Sequence, residues 1–580
     1  MKMKMNWTYP LLAICTTIIF IIVWAFQTGG RKSMVCKSLP QDLGLEEKTQ
    51  DMHSLIFDDL SPAEMIQVNR YLQQNLAVLL VDPSEAKPSD NCIYSITLQL
   101  PPKAEVLEFL DHQGRRPARE ALVVVYFGNQ NDPNITEFLV GPLPNPTYHR
   151  DITVEKYGGK LPYFRRFMLN NEIKEWNTFL KKEYQKAPNF MHKVFDYNRN
   201  NFMYFHAMPP GFESGDRLIW IFHFQNVSGF PLHPVGFEVL LDVSSLNISD
   251  WRVKKVFYNG QYFEDMEDIE RQFNEGYVKV AKVEKSPPDG GYSSLKQRVP
   301  PKGPGPLHYE PRGPRYSITN NQVNFMSWSF SFGTDVLYGP RVFDIRFQGE
   351  RIVYELSLQD ALAVYGSNSP GLMRNRYMDL SYGLGSNIHT LTPGVDCPYL
   401  ATYLDRHYFV DTSSPVTREA SICISEQNAE VPIRRHYNMA QSPFYGGLVD
   451  SAVVFRSITS YVNYDYIWDF IFHQNGAVSV RSYASGYIQS SFFFGNASEF
   501  GNRVQEWVLG TIHTHSFQFK VDMDVGGKLL SITAVFPKCS IFISLLVAPD
   551  TVHWQNYFSL FLHSEHSMKF MASPYYGIIY

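Results

Sequence analysis

The sequence predicts a mainly β protein with α+β parts: an N-terminal transmembrane helix, two small α+β domains, then an antiparallel β-sandwich. Three observations carry this reading. Aromatic residues make up 15% of the chain, with 35 Tyr and 42 Phe, a composition suited to pleated, half-buried strands. From Tyr316 onward, short apolar runs recur between Gly, Asn and Pro breaks, as in a sandwich. Asn6 to Gly30 form 25 uncharged residues, more than the ~20 a helix needs to cross a bilayer. At 580 residues the chain holds several domains. Its net charge of −5, spread without long blocks, leaves no footprint for nucleic acid.

Residues 1–9 read as a cytoplasmic tail, 10–26 as the anchor and 27–55 as a stalk. Trp7 and Tyr9 lie at one end of the uncharged stretch and Trp24 near the other, where amphipathic rings favour the headgroup region. A cleaved signal peptide is the competing reading, but no small-x-small site follows the apolar core. The sequons at Asn134, Asn226, Asn247 and Asn496 all lie beyond the anchor and call for a luminal ectodomain. The expectation is a single-pass type II glycoprotein of the plasma membrane, its ectodomain extracellular. Six cysteines are few for that location. Cys397 and Cys423 have a spacing suited to a bridge across a hairpin, with buried thiols as the alternative.

The first small domain, 56–160, opens with Ser61-Pro62-Ala63-Glu64, a capping box with proline at the first helical position. Met65, Val68, Leu72 and Leu76 follow at helical spacing, and strands are expected at Cys92–Leu100, Leu122–Gly128 and Ile135–Val140. The second, 161–285, repeats the order: a helix over Glu172–Gln185, then strands at Phe202–Ala207, Leu218–Phe224 and Gly236–Val243. Residues 286–315 contain eight prolines and five glycines and read as a linker. Strands of the sandwich, 316–527, are expected at Val323–Phe332, Ile352–Leu358, Gly447–Ile458, Ser479–Tyr487 and Val508–Asp524. After Gly527 the pattern changes to apolar runs with little alternation.

Chemistry concentrates at two places. His513 and His515 project from one face of a strand, a two-point nitrogen grip that suits Cu(II). Alone, such a pair is more often a satisfied or exposed pair in a protein with 17 histidines. The run Asn463-Tyr464-Asp465-Tyr466 is equally weak by itself. Together, and with Phe343-Asp344 to Glu350-Arg351, Tyr354-Glu355, Ala363-Val364-Tyr365-Gly366, Gly394-Val395-Asp396-Cys397 and Arg434-Arg435-His436, they are specific. Upstream, Arg70-Tyr71-Leu72, Lys87-Pro88-Ser89-Asp90-Asn91-Cys92, Gly141-Pro142-Leu143-Pro144 and Leu161-Pro162-Tyr163 add to the pattern. The chain resembles the copper/topaquinone-dependent primary amine oxidases, in their animal membrane-anchored vascular or retina-type form, from the anchor to about Gly527.

The resemblance implies a set of roles. Tyr464 is the topaquinone precursor, flanked by Asn463 and Asp465; Asp379 is the proton-accepting base; Tyr365 hydrogen-bonds the quinone oxygen; Val462 takes the gating position. His513 and His515 are two of three copper ligands, and Asp522, Met523 and Asp524 match part of a peripheral calcium site, where paired carboxylates suit a hard cation. The implied reaction is a Schiff-base cycle in which a primary amine and dioxygen give an aldehyde, hydrogen peroxide and ammonia. A homodimer is expected from the family. Because the family's third histidine and remaining calcium ligands should follow Gly527, residues 528–580 read as an unrelated tail and the catalytic sandwich as truncated. That predicts little copper and no quinone for this chain. The alternative function is then a catalytically inactive membrane glycoprotein, acting as an adhesion or dimer partner.

Overall fold

In a computed structural model, the described residues are 56–206, 216–292, 310–374, 377–438, 444–524 and two short strands near the C-terminus. The predicted anchor, stalk and most of the tail lie outside them. Among the described residues no helix is long and apolar enough to cross a membrane.

Helix α1, Pro62–Asn75, starts at the predicted capping box: the Ser61 hydroxyl accepts from the Glu64 amide at 3.3 Å, and the Glu64 carboxylate accepts from the Ser61 amide at 2.9 Å. Met65, Val68 and Leu72 form its buried stripe, as their spacing requires. It packs on strands β1 (Asn91–Gln99), β2 (Glu120–Phe127), β3 (Asn134–Gly141) and β4 (Tyr148–Asp151). Helix α2, Lys103–His112, was not expected; its apolar Val106, Leu107 and Leu110 supply too short a stripe to stand out. The second domain has helices α3 (Asn170–Glu183) and α4 (Pro188–Phe195) against a five-stranded sheet. Its strands are β5 (Phe202–His206), β6 (Leu218–Gln225), β7 (Pro234–Asp242), β8 (Arg252–Tyr258) and β9 (Gln261–Phe263).

The sandwich has two layers. One runs β10 (Tyr316–Thr319), β11 (Gln322–Phe325), β12 (Trp328–Asp335), β13 (Gly339–Phe347), β14 (Glu350–Tyr365), and β21 (His513–Met523) in spatial order. The other runs from β15 (Thr402–Val410) through β16 (Val416–Asn438), β17 (Phe444–Tyr461) and β18 (Tyr464–His473) to β19 (Val478–Gly486). This second layer continues through β15 into β1, with Ser95 opposite Val410, so the first small domain shares a sheet with the sandwich. Between the layers Phe330 stacks on Phe472 at 3.9 Å, with Phe455, Trp468 and Phe470 fully buried around them. Each such side chain contributes about 1.5–3 kcal/mol through burial.

Two expected strands divide. Val323–Phe332 breaks at Met326-Ser327, a two-residue turn with Phe325 opposite Trp328. Met326 adopts φ 52° there, a conformation that Gly or Asn would have announced. Val508–Asp524 breaks at exposed Ile512, so β20 (Val508–Thr511) joins a separate three-stranded sheet while β21 enters the sandwich. Beyond Asp524, the short strand Met568–Ala572 runs antiparallel along β21, with Phe517 opposite Ala572, and covers its outer edge.

Candidate active site

Two pairs of side chains face each other across the sandwich. Tyr464 and Tyr466 project from one face of β18, their rings nearly parallel and 6.0 Å apart. His513 and His515 project from β21 in the opposite layer, ring centroids 5.0 Å apart. The Tyr464 hydroxyl lies 2.6 Å from His513 Nε2, and the Tyr466 hydroxyl 2.9 Å from His515 Nδ1. The Tyr466 hydroxyl also donates to Asp379 Oδ2 at 2.7 Å. Tyr365, directly opposite His513 in the β14–β21 register, stacks on its ring at 4.7 Å and is a further side-chain partner of Tyr464.

These contacts fix which imidazole nitrogens are free. His513 Nδ1–H donates to the Thr511 carbonyl at 3.2 Å, leaving the Nε2 lone pair toward Tyr464. Tyr466 has one proton, which goes to the Asp379 carboxylate; its oxygen therefore accepts from His515 Nδ1–H. His515 Nε2 is then a lone-pair donor, and it is buried without a hydrogen-bond partner. Burial, with His513 beside it, holds His515 down at about 3, so the ring is neutral, the form that binds metals. An orphaned buried nitrogen beside a second Nε2 fits two ligands of a Cu(II)-type centre. Among the described residues no third His, Cys, Asp or Glu joins them.

Asp379 enters the site from a short turn, Asp379–Tyr382, that follows a two-residue strand on the edge of β14. Burial pushes its carboxyl up to about 7, with nearby Asp360 adding to the rise and the Tyr466 hydrogen bond opposing it. Burial likewise raises the Tyr464 phenol above its ordinary value. Asp379, Tyr464, Tyr466 and Tyr365 line one cavity together with Tyr461 and with Phe205 from the second small domain.

The other predicted residues fall in several places. Asn463 lines the cavity and donates to the Tyr487 carbonyl at 2.8 Å. Asp465 points to the opposite face of β18, where Ser460 donates to it at 2.5 Å; strand alternation carries it away from Tyr464. Exposed Val462 forms the β17–β18 turn at φ 51°. Cys397 and Cys423 are joined by a disulfide, and Cys92 is a buried free thiol. Asn226, Asn247 and Asn496 are exposed and Asn134 is half-buried. Asp522, Met523 and Asp524, the residues expected at a calcium site, lie at the end of β21 and just past it, with both aspartates buried. Both carboxylates are paired with Lys103, from the start of α2, at 2.7 Å each, so a lysine ammonium already sits between the two oxygens.

Sequence reasoning gave Tyr466 no role. Its position two residues beyond Tyr464 on a strand was the available signal, since both rings must then share a face. Phe205 and Lys103 come from other domains and carry no local signal.

A sandwich whose core presents tyrosines and a raised carboxylate in one cavity, with paired imidazoles bonded to those tyrosines, is the framework of a metal-dependent oxidoreductase. Known proteins agree. Residues 317–560 match the model of the copper amine oxidase enzyme domain, 64–149 that of the N2 domain and 162–276 that of the N3 domain. The enzyme-domain match extends past Gly527, where the sequence alone places the end of the resemblance. The chain is 44% identical over 535 residues to amine oxidase [copper-containing] 3 of Bos taurus, covering 90% of this chain and 70% of that one. With the bovine primary amine oxidase, lung isozyme, it shares 46% identity over 484 residues, covering 83% of this chain and 63% of the relative. The solved lysyl oxidase of Pichia pastoris superposes with a TM-score of 0.75 at 26% identity, over 81% of this chain and 66% of that structure. The chain belongs to the copper amine oxidase family. It spans under two thirds of the length of the bovine lung isozyme.

Proposed function

We propose that this chain carries the active site of a copper-dependent primary amine oxidase, converting primary amines and dioxygen to aldehydes, ammonia and hydrogen peroxide. One observation carries the reading: the Tyr464 hydroxyl meets His513 Nε2 at 2.6 Å beside the unpartnered, buried His515 Nε2. His513 and His515 would hold copper, and Tyr464 is the ring the family converts to topaquinone. The bound copper and quinone together supply the redox chemistry and the electrophilic carbonyl. The chain's own residues do the rest. Asp379, poised near neutral pH, accepts a proton from the substrate carbon. Tyr466 holds that carboxylate in place from one side, and Tyr365 wedges against His513 and Tyr464. Phe205, Tyr377 and Tyr461 give the cavity aromatic walls beside that carboxylate.

The test is redox-cycling quinone staining of the purified full chain after incubation with copper and oxygen. Staining in the wild type and its loss in Tyr464→Phe, with unchanged thermal unfolding, is the expected outcome. It departs from the little copper and no quinone expected from sequence because the enzyme-domain match runs to residue 560 and not to Gly527. A wild-type chain that binds no copper and never stains would sink the proposal and favour the alternative of an inactive membrane glycoprotein.

A homodimer is part of the same proposal. Beyond Ala452, where β18 begins to pair, β16 and β17 continue alone as a two-stranded arm. The arm exposes Val431, Ile433, Tyr445, Leu448 and Val449, an apolar surface that a second copy of the chain would cover. Light scattering of the full chain should give twice the chain mass, and Leu448→Glu with Val449→Glu should halve it. A wild-type monomer at micromolar concentration would end this part of the reading.

A further inference from the structure

We propose that Lys103 is the resident cation of the Asp522–Asp524 pair. Its ammonium fastens the first small domain to the histidine-bearing strand and takes the place a divalent ion would fill. The inference rests on this geometry alone and stands apart from the copper reading.

Lys103 Nζ reaches Asp522 Oδ1 and Asp524 Oδ1 at 2.7 Å each, and both aspartates are buried. The side chain passes over the Tyr354 ring, with Nζ 4.9 Å from its centre, so the cation is held from a third side. Lys103 is also the first residue of α2. A positive charge at a helix N-terminus opposes the helix dipole, so the position is unfavourable unless carboxylates offset it. Asp524 Oδ2 is buried without a hydrogen bond, with Arg351 Nη1 4.0 Å away. Arg351 is engaged already, by Asp344 at 2.6 Å and by Asp111 of α2 at 2.8 Å. Losing Lys103 would therefore leave two adjacent buried carboxylates with little compensation, a strongly unfavourable state. Two carboxylates and an intervening carbonyl are hard-cation ligands, and the ammonium stands between them. Calcium could bind there only by displacing it.

The linkage ties α2 to the far end of β21, the strand that presents His513 and His515 at its beginning. The first domain thus anchors the histidine strand through a charge supplied by the chain itself.

The test compares thermal unfolding of the full chain in EDTA and in millimolar calcium, with terbium luminescence as a direct readout of a bound hard cation near Tyr354. For the wild type, the expected result is one melting temperature in both buffers and no terbium signal that Asp524→Asn removes. Lys103→Met, similar in length but uncharged, should melt lower in EDTA by on the order of 5 °C. Calcium should restore it, and terbium should then bind. Both gains should vanish in Lys103→Met with Asp524→Asn. The proposal fails if wild-type chain melts lower in EDTA by an amount that Asp524→Asn abolishes, because calcium would then own the site. It fails equally if Lys103→Met melts like the wild type in EDTA. Should Lys103→Met not fold in EDTA, its recovery with calcium during refolding supports the proposal, and failure to recover counts against it.

Discussion

The two ends of strand β21 make opposite use of the same device. Each presents two polar side chains at alternate positions, His513 and His515 at the start, Asp522 and, one residue past the strand, Asp524 at the close. At the histidine end every hydrogen bond points away from one nitrogen, and His515 Nε2 is left buried and empty-handed. At the aspartate end a lysine from another domain fills the gap. A buried polar atom without a partner is costly, and at His515 Nε2 a bound metal would supply the missing partner. The contrast teaches that alternation on a strand creates the pair, while the neighbouring elements decide whether the pair is left open.

Two experiments sharpen this contrast. The larger effect belongs to the open end. His515→Ala should lower the affinity of the full chain for Cu(II) by at least about 100-fold, read by competition titration, because ligand number dominates metal affinity. Asp524→Asn should leave copper affinity unchanged. Equal losses in both variants would break the distinction between the two ends.

A smaller effect is expected at Tyr466, which joins the open end to the base. Asp379 must be ionised to accept a proton, so amine oxidation should rise with pH through about 7. Tyr466→Phe removes a hydrogen bond that favours the ionised carboxylate, so this limb should move to higher pH. Copper affinity should fall about 10–100-fold, since His515 loses the partner that orients its ring. The stability of the protein runs the opposite way with pH. The folded value lies above the ordinary 3.8, so the Asp379 contribution is complete below that value and is lost as pH rises through about 7. Chemical denaturation across this range, in wild type and in Asp379→Asn, measures it. A pH–rate limb that stays in place in Tyr466→Phe would show that the tyrosine does not hold the base.

Much of the molecule is legible in one dimension, where the controlling physics is local. The capping box sets the start of α1, because both hydrogen bonds lie within four residues. Alternation puts Tyr464 with Tyr466, and His513 with His515, on shared faces, since the period of a strand is a property of its backbone. Copper and a quinone-forming tyrosine enter as expectations through the family resemblance of the motifs around Tyr464 and His513, not through residue types alone. The tertiary structure decides what meets those faces. Only the packing of two layers brings Tyr464 to His513, and only the turn at Asp379 delivers a carboxylate to Tyr466. The same packing brings Lys103 across 419 residues of sequence to Asp522. Periodicity is encoded residue by residue, whereas partners distant in sequence are chosen by how whole sheets stack. For that reason the sequence by itself determined the chemistry available here, and the assembled sheets determined which groups stay open to use it.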